Sequence, residues 1–360
     1  MLAVWLINGA PLTYVDSGAY LKKGHLARAE LGLSAPVQSV TADLQPDATG
    51  DETPDDVDAS RSIVYSLALT IVAMLGHVSW TILLQSAVIV ATVGVVARVL
   101  ARVYGLLGIR LALLALLAGS AGALPFYAAF LMPDFATAPL VLSLALLAVF
   151  AGAGLHRSEA ALAVLICAGA ASLHLSQLAI VAIMLPLVAC VALMISHRAR
   201  WIPVLLVGRI VGGGVVERQA FALSVTSTSD RAVSYLPFLT TRLIDDGPGL
   251  RYLAANCPDP AIASCALYAE LQRDPDPQRL RSYNILFAPD ERGSFKHLTA
   301  AQRAAISADQ QAFALSVLQT DPLGVVAAFA GNVLEQMRVF SETQAVDRPK
   351  AVTQANENKG

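Results

Sequence analysis

The sequence predicts an all-α polytopic membrane protein with about six to seven transmembrane helices, a long first outer loop and a helical outer C-terminal segment. Three observations predict it. The 360 residues are 56% hydrophobic and 14% charged, with a mean hydropathy of +0.59, whereas soluble domains carry about 25% charged residues. The charge is also unevenly placed. From Arg61 to Val216 the bases besides Arg61 are Arg98, Arg102, Arg110, Arg157, Arg198, Arg200 and Arg209, and the acids are Asp134 and Glu159. Finally, the basic loops fall on every second turn of the apolar block, as the excess of Lys and Arg on the cytoplasmic side requires. The formal net charge of -2 gives no support for binding nucleic acid.

Residues 1–10 begin with an apolar run too brief to cross a bilayer. It reads as the end of a first span or as an anchor, without the basic flank and cleavage site of a signal peptide. Residues 11–82 form the outer loop. Its part from Pro11 to Ser60 holds nine acids and three bases, and "DLQPDATGDETPDDVDAS" has the composition of a mobile acidic loop. The run "RSIVYSLALTIVAMLGHVSW" is long enough to cross, but counting it as a span inverts the charge pattern of every later loop. We therefore read an interfacial helix over about 62–75, with Tyr65 and Trp80 at headgroup depth.

The transmembrane block covers 83–216. A bilayer core needs about 20 apolar residues per helix, and the candidate spans are 83–103, 106–124, 136–155, 160–173, 178–195 and 201–216. Arg98, Arg102 and Arg110 follow the first, "LHRSE" carries Arg157, and "SHRARW" carries Arg198 and Arg200. The intervening loops "FYAAFLMPDFATA" and "LHLSQ" hold no basic Lys or Arg. The alternation puts the Asp134 loop, the His174 loop, the first large loop and the C-terminal segment on the outer face.

Residues 217–345 form the outer, mostly helical segment. "AIASCALYAELQRD" and "LTAAQRAAISADQQAFALSVLQT" read as amphipathic helices. A third helix opens with Asp321 as N-cap and Pro322 at its first position, and is apolar through Leu334, so that it packs on the membrane block or lies at its surface. Residues 346–360 have no core-forming pattern and read as a disordered tail. Cys167 and Cys190 lie in apolar runs as small hydrophobes. Cys257 and Cys265 pair if their segment faces an oxidising compartment, and spacing alone leaves this open.

"LTYVDSGAYLKKGH" places a lone acid, Asp16, at the first exit from an apolar segment. Asp16, Tyr20 and Leu21, followed after a long loop by Arg61 and Tyr65 in "RSIVYSLAL", resemble the GT-C superfamily of integral-membrane glycosyltransferases, many of which read D-x-x-x-Y-L in the first loop and R-x-P-x-Y before an interfacial helix. Ile63 stands where the family has proline. The resemblance covers roughly 12–195 and lies in the order of features. It implies a fold of this class and transfer of a sugar from a polyprenyl-phosphate carrier to an acceptor at the outer face. It also implies that Asp16 is the catalytic carboxylate or a ligand of a catalytic divalent metal; no metal site is assigned from the residues themselves. The implied partners are the polyprenyl-phosphate-linked sugar and membrane lipids. The implied location is the inner (plasma) membrane of a bacterium, with the C-terminal segment outside.

As a general base, Asp16 would deprotonate the acceptor hydroxyl; as a bland alternative it is a solvated loop acid. Tyr20 is carried over as a substrate-binding residue. Lys22, Lys23, Arg28 and Arg61 are the cations available for a phosphate on that face, and the two lysines equally suit anionic headgroups. Asp134 is a helix N-cap or a site residue, and His174 is a capping group or a site residue. Arg209 lies inside an apolar run, where arginine is costly and often functional. "GRIVGGG" lacks the strand before it and the Gly-Lys-Ser/Thr ending of a phosphate loop. Two other function classes remain open: a non-catalytic or incomplete relative of the same fold, and a transporter component, which predicts broken helices in two matching halves.

Overall fold

The computed structural model describes residues 2–13, 15–30, 56–58, 60–75, 77–105, 107–152, 154–194, 200–229, 232–288 and 291–338. These are almost entirely helical, and they divide into two units. One takes the described residues of 2–30 and 61–221, the other those of 56–60 and 222–338.

The first unit begins with α1 (Ala3–Asn8), α2 (Val15–Glu30) and α3 (Ile63–Leu75), followed by α4 (Trp80–Tyr104), α5 (Gly108–Ser120) and α6 (Leu124–Ala129). A 3₁₀ turn, Pro133–Ala136, leads into α7 (Thr137–Phe150), and α8 (Arg157–Leu173), α9 (Leu175–Met194) and α10 (Ile202–Ser229) follow. Three helical segments among the described residues are long and apolar enough to cross a membrane: Trp80–Tyr104, Pro133–Phe150 and Leu175–Met194. The 25 residues of α4 rise about 38 Å, enough for a hydrocarbon core of about 30 Å.

The apolar run 106–124 behaves differently from its composition. Its helix stops after 13 residues at Ser120, about 20 Å of rise, and the small-residue stretch Gly119 to Gly122 turns the chain into α6. The run 201–216 is the first part of a longer helix, since α10 continues for 28 residues to Ser229 and carries Glu217 and Arg218 beyond the apolar stretch. Arg209 is exposed on it. The predicted helix at about 62–75 is α3, with Tyr65, Ser66, Leu69 and Thr70 buried on one face.

Small residues hold this unit together. Ala163, Cys167, Ala170 and Ala171 of α8 let Leu140, Leu144 and Leu147 of α7 approach closely, with Val181 and Val188 of α9 and Val207 and Ile210 of α10 in the same core; small side chains at helix contacts are the usual device in lipid. At one end of the block, Arg102 of α4 donates to Glu159 of α8 and to the Gly154 carbonyl, while the His156 N–H also donates to Glu159. Gly24 of α2 sits against α3: a Cβ there would overlap Thr70 Oγ1 and the Ser66 carbonyl. The opposite faces of these helices carry exposed large hydrophobics, among them Leu84, Leu114, Leu117, Ile183 and Leu205.

The second unit contains two three-residue strands that the all-α expectation omits. β1 (Asp56–Asp58) pairs in parallel with β2 (Ala232–Ser234). The end of the acidic stretch is thus ordered by a partner far away in sequence; the remainder of that stretch, 43–55, lies outside the described residues. Next come α11 (Phe238–Asp245), α12 (Pro248–Asn256), α13 (Cys265–Leu271), α14 (Ser282–Phe287), α15 (Ala300–Thr320) and α16 (Pro322–Arg338). Their core joins Ile244, Leu253, Leu267, Ile285, Ile306, Phe313 and Val317. Cys257 and Cys265 form a disulfide, with their Cα atoms 5.6 Å apart. Asp321 caps α16 as its sequence predicts, accepting the Gly324 N–H at 2.8 Å, with Pro322 at the first helical position. α15 and α16 together also have the length and hydropathy of a span, bent by 108°. The tail at 346–360 lies outside the described residues.

Candidate functional site

The position of Asp16 follows from the backbone before it. The Leu12 N–H donates to the Ala129 carbonyl at 2.8 Å, and the Leu131 N–H donates back to Leu12 at 2.9 Å. Ser17 Oγ then donates to the Leu131 carbonyl at 2.8 Å. The start of α2 is thereby stitched to the turn that precedes Asp134. Asp16 itself lies in the first turn of α2, where the helix dipole favours a carboxylate.

Arg61 meets it from the start of α3. Its Nη2 and Nε both donate to Asp16 Oδ1, at 2.7 and 3.3 Å, so Oδ2 is the oxygen left to other ligands. The Asp16 side chain is 41% exposed and that of Arg61 13%, an ion pair open on the acid's side. Lys23 Nζ donates to the Arg61 carbonyl at 3.1 Å, which fixes the backbone from which Arg61 projects. Lys22 is exposed on α2. The side chain of Arg28 lies outside the described residues.

Two further connections bring in the turn before α7 and the junction between α8 and α9. Ser62 Oγ accepts the Tyr65 N–H at the start of α3 and donates to the Ser172 carbonyl at 2.7 Å. Gln177, fully buried, donates from Nε2 to the Pro133 carbonyl at 2.8 Å. The Asp134 turn and the start of α3 are therefore each hydrogen-bonded to the α8–α9 junction. Asp134 belongs to the 3₁₀ turn and makes no side-chain cap; the residue at the cap of α7 is Ala136, which corrects the capping alternative for Asp134. Its charge acts on Tyr65 and on His174.

His174 is the single residue between α8 and α9. Its Nδ1 accepts the Ser176 N–H at 3.2 Å and lies 2.7 Å from Ser176 Oγ, so it caps α9, and the proton of the neutral ring sits on Nε2. Burial lowers its pKa below 6.5, the charge of Arg218 works in the same direction, and Asp134 and Asp16 oppose it. The imidazole is thus kept neutral near two carboxylates.

Tyr20 and Tyr65 are both buried and meet edge to face, with centroids 5.1 Å apart. Burial, then the neighbouring Tyr20 and Asp134, raise the Tyr65 phenol well above its ordinary range, and Gln85 Nε2 donates to its oxygen at 3.5 Å. Tyr20 is thus packed against Tyr65, with little surface for a substrate.

Arg218 escapes the sequence reading. From α10 it donates to the Ala171 carbonyl at 3.5 Å, one turn before His174, and its Nε is buried without a partner. Glu217 beside it has a buried Oε2 without a partner, and burial raises its pKa against the effect of Arg218. The only sequence signal is an acid–base pair just after an apolar run; its return to the His174 junction depends on the unbroken length of α10.

In this arrangement a half-open carboxylate, a neutral imidazole and two guanidinium groups share one end of the first unit. No group of three or more His, Cys, Asp or Glu among the described residues has the arrangement of a metal site. No protein-family model, curated protein or solved structure matches the chain.

Proposed function

We propose that the chain is a membrane glycosyltransferase of the GT-C type, which moves a sugar from a polyprenyl-phosphate carrier to an acceptor hydroxyl at the outer face of the membrane. The observation that carries this reading is the bond between Asp16 and Arg61. The two residues are 45 apart in the chain and are the polar landmarks of the resemblance, the first-loop acid and the base opening the interfacial helix. Their meeting beside the Asp134 turn and the α8–α9 junction supports a built site over two unrelated loop charges.

In the reaction the acceptor oxygen attacks the anomeric carbon, and the carbon–oxygen bond to the phosphate breaks with its electron pair leaving on the phosphate. Asp16 Oδ2 takes the hydroxyl proton, a contribution of about 10²–10⁴-fold for a positioned base. Arg61 holds Asp16 in place and, with Lys22 and Lys23, offers positive charge to the departing phosphate.

The reading includes six to seven spans, with α5, α8 and α10 crossing beside the three longer apolar segments. The proposed location is a bacterial inner (plasma) membrane with the C-terminal unit outside. The Cys257–Cys265 disulfide supports that side, since such bonds persist in oxidising compartments. α16 supports a helix at the membrane surface, because Leu323, Val326, Phe329 and Val333 are exposed along it.

The direct test supplies membranes containing the protein with a labelled sugar on either a polyprenyl phosphate or a nucleotide diphosphate. Transfer from the lipid carrier alone is the expected result. Transfer from the nucleotide donor alone, or none from either, rejects the assignment and favours the non-catalytic relative.

A further inference from the structure

We infer that Arg218 is an anion-binding residue of this cluster, and that the guanidinium edge bearing its Nε–H takes a phosphate-ester oxygen. The inference rests on the proposed lipid-phosphate chemistry for the choice of ligand; the site itself rests on geometry. Among the described residues Arg218 forms no ion pair, and its one hydrogen bond, to the Ala171 carbonyl, is long at 3.5 Å. Its Nε is out of contact with solvent and has no acceptor. An arginine carries five donors in a fixed plane, and a buried donor left unpaired is costly. A chain that keeps such a group beside its candidate site has a use for the missing acceptor.

The surroundings select the acceptor. The nearest acid in sequence, Glu217, does not pair with it, and burial favours the neutral form of that carboxyl. Asp16 already accepts from Arg61. Its bond to the Ala171 carbonyl, one turn before His174, sets Arg218 beside the α8–α9 junction, and its charge acts on His174 together with those of Asp134 and Asp16. The Nε and Nη edge of a guanidinium matches two oxygens of a phosphate, a geometry that lysine does not reproduce. Arg61 and Arg218 would then hold a phosphate from two sides, one on α3 and the other on α10, with the sugar-bearing bond toward Asp16. This role is positioning and binding, and proton transfer stays with Asp16.

The test measures binding, with no turnover. The full chain is placed in phosphatidylcholine nanodiscs and titrated with a short-chain polyprenyl monophosphate, the corresponding polyprenol and inorganic phosphate; a parallel set of discs contains phosphatidylglycerol. Wild type should bind the polyprenyl phosphate and not the polyprenol. Arg218→Gln should weaken that binding about tenfold or more, the scale of a lost charge-assisted pair, and Arg218→Lys should recover only part of it. Arg209→Gln, which removes an exposed charge from the same helix, should bind as wild type does, which ties the effect to Arg218.

Equal binding by wild type and a folded Arg218→Gln overturns the inference and leaves the transferase reading intact. Where Arg218→Gln does not fold, Arg218→Lys decides: unchanged affinity overturns the inference. Arg218-dependent binding of inorganic phosphate, or competition by phosphatidylglycerol, without affinity for the polyprenyl phosphate upholds an anion site and rejects the lipid donor. Binding of none of the probes by wild type overturns the site.

Discussion

The two units spend similar residues in opposite ways. In the first, small residues such as Ala163, Cys167 and Ala170 line helix contacts beside buried leucines and valines, while many further leucines, isoleucines and valines face outward. In the second, aromatic and aliphatic residues close a core, and the surface carries ion pairs such as Arg251–Asp321, Arg273–Glu270 and Arg281–Asp245. The first arrangement is compatible with an apolar solvent around the helices, because large contiguous apolar faces are rare on soluble proteins. The second combines a closed core with a charged surface, and its exposed large hydrophobics are most numerous along α16. Where a residue type points therefore identifies the solvent better than how much of it there is.

Three perturbations should act on one unit and spare the other. The largest is loss of the disulfide. It closes a loop of separation 8, for which the chain-entropy relation gives about 2–3 kcal/mol. Cys257→Ser with Cys265→Ser should lower the unfolding temperature of the second unit and leave the first unchanged, as followed by protease resistance of each part during heating. Equal loss in both units would show that they unfold as one.

Gly24→Ala should come next and act on the first unit. The new methyl overlaps the Ser66 carbonyl and Thr70 Oγ1, so α2 and α3 must separate at a cost of about 1–3 kcal/mol, offset in part by the better helix propensity of alanine. Thermal unfolding in detergent measures it. No change would mean that α2 does not pack closely on α3, and that the Asp16–Arg61 bond lacks its support.

The smallest effect concerns pH. His174 is held below its ordinary value of 6.5, by burial first and then by Arg218. A lowered folded value means that the unfolded chain takes up the proton first as pH falls. The stability of the first unit should thus be level above about 6.5 and decline below it. Substituting His174→Asn should remove that contribution, and Arg218→Gln should move the imidazole titration upward, as read by NMR of labelled histidine. An unmoved titration would separate Arg218 from the cluster.

Much of this architecture is legible in the sequence, for reasons that differ by element. The helices α4 and α9 are long, mostly apolar runs, and α3 begins within one residue of its expected start because Ser62 ends the polar loop. Asp321 before Pro322 announces a helix start through local chemistry alone. The short α5 is not legible, since hydropathy averages over the small residues at Gly119 and Gly122 that let the chain turn. β1 and β2 are equally hidden: three residues each, they exist through pairing across about 170 positions. In the site, Asp16 and Arg61 stand out as charges at apolar boundaries, and Lys23 among the basic neighbours. That Tyr20 packs on Tyr65, that Asp134 makes no cap and that Arg218 returns to the end of α8 are tertiary facts without a local pattern.

The central claim is that Asp16 acts chemically and is more than a clamp between α2 and α3. Asp16→Asn keeps the size of the side chain and an acceptor for Arg61 while removing the base. Transfer of a labelled sugar from a polyprenyl-phosphate donor, measured in membranes beside thermal stability of the same samples, should fall about 100-fold or more with stability nearly unchanged. Glu30→Gln, the same change of charge later in α2, should leave transfer at the wild-type rate. Wild-type transfer by the Asp16 variant, or a loss of transfer matched by a loss of fold, would contradict the assignment.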